Sequence, residues 1–169
     1  MDVRFPIGEL EVPDHVTLED IQAWIEDIGS YTNRLRATVD GLDSEDLNKT
    51  YREGSWNVRQ LVHHIADSQV NMYQRLKLAL TDDNPSVTPF IQDEWVKLPD
   101  SELPIECSVK LLEGINERIV AIGQGLNEAQ LKRVFTLNDN GEISVAKKIA
   151  KLSWHENHHL EHIKIALSQ

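Results

Sequence analysis

The chain predicts an all-α fold, a four-helix bundle with one long crossover between its second and third helices. Three observations predict it. Apolar residues recur at three- and four-residue spacing over four long stretches, 17–41, 55–80, 105–125 and 143–167. All 6 prolines fall outside those stretches. No run alternates apolar and polar residues as a strand does, so a sheet of three or more strands is not expected.

Taken in order, residues 1–16 carry Pro6, Gly8 and Pro13 and should run extended over the surface or across a neighbour. Thr17 opens the first helix as N-cap, with Glu19 and Asp20 suiting the dipole and Val16 placed to staple onto Ile21. Ile21, Trp24, Ile25, Ile28, Leu35 and Val39 form its apolar stripe, and Gly41 stops it. Residues 43–48 read as a short connecting turn of helix. Ser55 is the expected cap of the second helix, whose apolar arc is Val58, Leu61, Ile65, Met72, Leu76 and Ala79. From Thr81 to Pro104 the pattern breaks at Pro85, Pro89, Pro99 and Pro104, in a crossover of about 24 residues carrying Phe90 and Trp95. A loop that long in a compact domain usually serves as a pocket wall or lid. Leu112, Ile115, Ile119, Ile122 and Leu126 mark the third helix, and Val145, Ile149, Leu152, Ile163 and Leu167 the fourth. Gly41-Leu42-Asp43-Ser44-Glu45-Asp46-Leu47 is echoed by Gly125-Leu126-Asn127-Glu128-Ala129-Gln130-Leu131. The echo suggests two helix pairs related by a pseudo-twofold axis.

Composition excludes several classes. At 169 residues the chain makes one domain, 1–169, with room for a full core. A net charge of -11 argues against nucleic acid or an anionic membrane as partner. No apolar run approaches the ~20 residues of a membrane span, and residues 1–6 lack the apolar core of a signal peptide. The single Cys107 excludes an internal disulfide or a thiolate cluster and reads as structural. A cytoplasmic protein is expected.

The chemistry is concentrated in Trp154-His155-Glu156-Asn157-His158-His159-Leu160-Glu161-His162, which holds four of the 7 histidines. His155 and His159 are one turn apart on one helix face, the spacing with which a helix offers two imidazoles to one metal ion. They point into the apolar arc, His162 lies at its margin, and His158 projects outside. On the second helix His64 sits at the edge of the buried face and His63 outside it, so periodicity nominates His64 as third ligand. Asn71 and Arg75 share the stripe of His64, while Asp67 flanks it. The rival reading is a set of core histidines satisfied by hydrogen bonds. His155-Glu156-Asn157-His158-His159 formally matches the H-E-x-x-H signature of zinc proteases. The downstream ligand and preceding strands that such a protease needs are missing. Glu156 is a candidate catalytic base, or a hydrogen-bond acceptor behind the metal ligands, with a partly exposed helix charge as its alternative. Neither a Gly-x-Ser-x-Gly elbow nor a glycine-rich phosphate loop occurs.

Tyr51-Arg52-Glu53-Gly54-Ser55-Trp56-Asn57-Val58-Arg59-Gln60-Leu61-Val62-His63-His64-Ile65-Ala66-Asp67-Ser68, together with Trp154-His155-x-x-His158-His159-x-x-His162, resembles the DinB superfamily. Phe5-Pro6-Ile7-Gly8 and Arg75-x-Lys77-Leu78-Ala79-Leu80-Thr81 are similar to its YfiT-type branch of metal-dependent hydrolases. The resemblance covers nearly the whole chain. It implies a four-helix bundle, a homodimer, and one divalent metal ion per chain, zinc first and nickel as alternative. The ion is held by residues matching His64, His155 and His159. Some relatives transfer a low-molecular-weight thiol such as bacillithiol onto electrophiles. The chain departs from the pattern at Thr136-Leu137-Asn138, where a His-Pro type segment is usual, and at Glu156, where no acid is required.

Three functions follow as expectations. The metal activates water for hydrolysis of a small-molecule substrate, or it binds a thiol for transfer, or the bundle is a non-catalytic metal- or ligand-binding stress protein. Arg75 and Asn71, with Arg52 and Arg59 near the mouth, are the candidates for holding an acidic cofactor.

Overall fold

The computed structural model describes residues 2–169. In chain order the elements are α1 (Leu18–Val39), α2 (Ser44–Asn48), α3 (Val58–Thr81), β1 (Ser86–Val87), α4 (Gln92–Trp95) and a 3-10 turn at Pro99–Glu102. These are followed by α5 (Glu106–Gln124), α6 (Glu128–Leu131), β2 (Val134–Leu137), a 3-10 turn at Asn138–Asn140, β3 (Glu142–Ser144) and α7 (Val145–Leu167). The four long helices form the expected four-helix bundle.

Local chemistry fixes their ends. Thr17 caps α1 in a reciprocal box with Asp20. Helix α3 starts two residues later than a cap at Ser55 implies. Asn57 rather than Ser55 is its cap, because the Asn57 side chain accepts from the Gln60 amide while the Gln60 side chain accepts from the Asn57 amide. Ser55 instead donates to the Arg52 carbonyl at 2.9 Å and closes the preceding turn. The echoed segments both fold as short capped helices, with Asp43 accepting from the Asp46 amide and Asn127 from the Gln130 amide.

Contrary to the expectation of no three-stranded sheet, β1, β2 and β3 form one, with β1 parallel to β2 and β2 antiparallel to β3. Its strands of 2, 4 and 3 residues are too short to show an alternating pattern. The fully buried Phe135 plugs this sheet into the core, and Ile143, expected inside the last helix, pairs opposite it. The sheet ties the crossover to the α5–α7 connection. Arg133 reinforces the tie by donating to the carbonyls of Ala79 at 2.7 Å and Asp82 at 2.6 Å.

The first two long helices do not pack on one another, and neither do the last two. Helix α1 packs on α5 and α7, and α3 packs on the same two, so α1 and α3 face one another across a diagonal, as do α5 and α7. The expected α1–α3 and α5–α7 pairs are therefore replaced by pairs drawn from opposite halves of the chain. Gly123 lets α1 and α5 close up, since a Cβ there would lie 2.1 Å from Ile25 Cδ1. One apolar cluster joins the start of α1 and α7 to the end of α3 and α5 (Ile21, Ile149, Leu76, Ile119). A second joins their opposite ends (Leu35, Ile163, Leu61, Leu112). Helices α3 and α5 thus run parallel, so the crossover must return the length of a 24-residue helix, about 36 Å at 1.5 Å per residue.

Between the two clusters lies a polar layer, with Gln69 from α3, Asn116 from α5 and Glu156 from α7. His64, His155 and His159 lie at the same level on the α3–α7 side. The N-terminal arm folds back onto its own α7. Trp154 Nε1 donates to the Gly8 carbonyl at 3.3 Å and His162 Nε2 to the Val3 carbonyl at 3.0 Å. Among the described residues no helix is long and apolar enough to cross a membrane.

Candidate metal centre

His64 from α3 and His155 and His159 from α7 converge, with one ligand nitrogen of each within 4.8 Å of the others. The Nε2 atoms of His64 and His155 face each other at 3.3 Å. Burial pushes His64 down to about 4, and it pushes His155 and His159 well below the usual imidazole range, with mutual repulsion adding to the effect. All three are neutral at pH 7, the form that offers a lone pair to a metal. Trp56 covers His64 at 4.5 Å between ring centroids. A donor set of three neutral imidazoles and no carboxylate fits zinc or nickel.

His158, His159 and His162 form a second group close enough to hold an ion, sharing His159 with the first. Hydrogen bonding separates the two. His162 donates from Nε2 to the Val3 carbonyl, so its neutral ring must accept at Nδ1, where His159 Nδ1 lies 3.2 Å away. His159 therefore carries its proton on Nδ1 and its lone pair on Nε2. His162 is tied up in positioning His159 and stacks on Tyr51 at 3.9 Å.

Several expectations are corrected by placement. His63 does not lie outside; it is 4% exposed, donating from Nε2 to the Leu103 carbonyl at 2.8 Å and accepting from Ser108 at 2.6 Å. His158 is 7% exposed, not projecting, because Trp154 stacks on it and Phe5 of the arm covers it. Glu156 is neither an exposed helix charge nor near the cleft of the histidines. It is 0% exposed, and its Oε1 accepts from Gln69 and Asn116, each at 2.7 Å. Burial raises its pKa well above the usual carboxyl range. Asn71 spends its amide on the Asp67 carbonyl of its own helix. Arg59 donates to the Glu102 carbonyl, and Arg52 lies over the Tyr51 ring in a second cleft that His159 also lines.

Arg75 does reach the cleft. His155 and His159 open onto a space of about 510 Å³ walled by Met72, Arg75, Phe90, Lys148 and Trp154. The lysine wall was missed from the sequence, although Lys148 is seven residues before His155 and so on the same helix face. Lysine counts by habit as surface, and that habit hid the signal.

Comparison with known proteins places this geometry. A model of the DinB superfamily matches residues 31–163. A protein of Oceanobacillus iheyensis named "putative metal-dependent hydrolase" is 66% identical over 168 residues, covering 99% of this chain and 97% of its own. The solved structure of YfiT from Bacillus subtilis, described as "a probable metal-dependent hydrolase with an unusual four-helix bundle topology", superposes with a TM-score of 0.93. It is 32% identical, with 97% of this chain and 95% of that one covered. A mycothiol-dependent maleylpyruvate isomerase shares the fold at a TM-score of 0.67 and 15% identity, over 88% of this chain and 63% of its own. With its bundle, its two histidine-bearing helices and these matches, the chain belongs to the DinB superfamily.

Proposed function

We propose that His64, His155 and His159 hold one divalent metal ion per chain, zinc first and nickel as alternative, and that the protein hydrolyses a small-molecule substrate in the adjoining cleft. The observation that carries this reading is the convergence of three neutral imidazoles from α3 and α7 at the wall of an open cleft. Three protein ligands are the pattern of catalytic rather than closed structural zinc sites. When bound, such an ion supplies Lewis acidity and an open position at which water is activated near neutral pH. The protein's own contribution is orientation and shielding. His162 keeps the His159 proton on Nδ1, and Trp56 and Phe90 cover the His64 ring. The naming of the relatives supports hydrolysis.

A second reading is transfer of a low-molecular-weight thiol at the same open position. Arg75 and Lys148 in the cleft favour it, because they suit an acidic cosubstrate. Incubation of metal-loaded protein with a panel of esters and amides, and separately with thiols plus a chromogenic electrophile, discriminates the two. Hydrolysis that disappears in His159→Ala is the expected result. Thiol conjugation without hydrolysis would transfer the assignment to the second reading, and no turnover in either assay would leave a binding module.

The same proposal includes a homodimer. The crossover exposes Ile91, Leu98 and Leu103 at 68%, 53% and 48%, an apolar rim that the bundle leaves uncovered. Light scattering at micromolar concentration should give a mass near twice the 19.3 kDa of the chain. A single-chain mass would overturn it.

A further inference from the structure

The cleft beside the histidines carries the opposite charge to the protein as a whole. The chain has a net charge of -11, yet Arg75, Lys147, Lys148 and Lys151 line this one cleft and no carboxylate does so among the described residues. Two of the four are buried as deeply as core residues, Arg75 at 7% exposed and Lys148 at 4%. Among the described residues no ion pair includes any of them, and the Lys148 ammonium has only the Phe135 ring beneath it, 5.4 Å to the centroid. Arg75 Nη2 is buried without a hydrogen-bond partner. Burial, and after it the positive charges of Arg75, Lys151 and Lys147, push the Lys148 ammonium down to about 7.

A buried cation without an anionic partner is costly, and a cluster of mutually repelling ones more so. Such an arrangement is self-consistent when an anion completes it. An arginine fork beside an ammonium is suited to a carboxylate or phosphate, which takes short charge-assisted hydrogen bonds from both. The other walls are apolar or aromatic, with Met72, Phe90 and Trp154, and the Lys151 ammonium lies 4.5 Å over the Trp154 ring. The volume of about 510 Å³ suits a small molecule.

We infer that this cleft binds a small organic anion, whose carboxylate or phosphate group is taken by Arg75 and Lys148 while its apolar portion lies along Phe90 and Trp154 toward the histidines. The inference deepens the proposed function and rests on it for the reacting end of the ligand. The anion subsite itself needs no metal.

Calorimetric titration of the full chain, metal-free and metal-loaded, with malonate, with inorganic phosphate and with neutral acetamide tests it. At low ionic strength one of the two anions should bind saturably at one site per chain in both forms, weaken as salt is added, and outcompete acetamide. Preference for malonate or for phosphate identifies the headgroup. Arg75→Gln and Lys148→Gln should each weaken binding about tenfold or more, the loss expected for one charge-assisted hydrogen bond, with metal content unchanged. Lys148→Met should raise the melting temperature of the ligand-free protein by relieving an unpaired buried charge. No saturable binding to metal-free protein overturns the inference, as does binding that both glutamine variants retain in full. Binding seen only in the loaded form, and indifferent to Arg75, would place the anion on the ion and also overturn it. A fall in melting temperature for Lys148→Met would count against it by giving Lys148 a packing role. Arg75-dependent anion binding in a protein that takes up no metal would sustain the subsite and defeat the metal centre separately.

Discussion

His64→Ala, His155→Ala and His159→Ala are each expected to reduce the metal content of protein purified without chelator from near one ion per chain to near none. Each removes one of three converging imidazoles, and the remaining two leave an ion with too few protein ligands to compete with water. His63→Ala and His158→Ala should retain the ion. His63 spends both ring nitrogens on Leu103 and Ser108, and His158 stacks on Trp154. His162→Ala should fall between, binding metal about 10–100-fold more weakly, the usual cost of removing a partner that orients a ligand. Without its Nδ1 acceptor, His159 loses the bond that keeps its proton away from Nε2. Elemental analysis with chelator competition measures all six, and circular dichroism checks that each variant folds. Full occupancy in His64→Ala would refute the assignment. Loss in His158→Ala with retention in His64→Ala would move the ion to the group shared by His158, His159 and His162.

What was legible in the sequence was whatever depends on one helix at a time. The i, i+4 spacing of His155 and His159 and the stripe position of His64 follow from helical geometry, and the structure brings those three residues together. The burial of His63 and His158 was not legible, because their cover comes from residues remote in sequence: the Leu103 end of the crossover and Phe5 of the arm. The diagonal arrangement was hidden for a related reason. An amphipathic stripe says that a helix has a buried face but not which helix faces it. The strands are too short to show a period. Lys148 was legible and overlooked, since the face that carries His155 and His159 carries it too. Glu156 has the opposite lesson: its neighbour His155 opens onto the cleft, but one residue is about 100° around the helix, which turns the carboxyl toward α3 and α5.

That placement gives Glu156 a structural task with a large expected effect. Glu156→Ala should lower stability by roughly 3–5 kcal/mol, through the cavity left by the lost side chain and through the Gln69 and Asn116 amides left without their shared acceptor. For a chain of 169 residues, that corresponds to a melting temperature lower by roughly 10 °C. Metal content should survive, because Oε1 bonds to Gln69 and Asn116 and not to the three histidines. Glu156→Gln keeps a carbonyl at the point where both amides converge, so it should stay close to the parent in melting temperature and in turnover. A catalytic base behaves in the reverse way: the amide variant folds, binds metal and is inactive, while the alanine variant loses turnover at little cost in stability. Thermal unfolding of the two variants beside their activity therefore separates the roles. A stable, metal-loaded and inactive Glu156→Gln would return this residue to the reaction. An unstable Glu156→Ala beside an active Glu156→Gln identifies the carboxyl as the pin that holds α3, α5 and α7 together at the level of the histidines, where the two apolar clusters part.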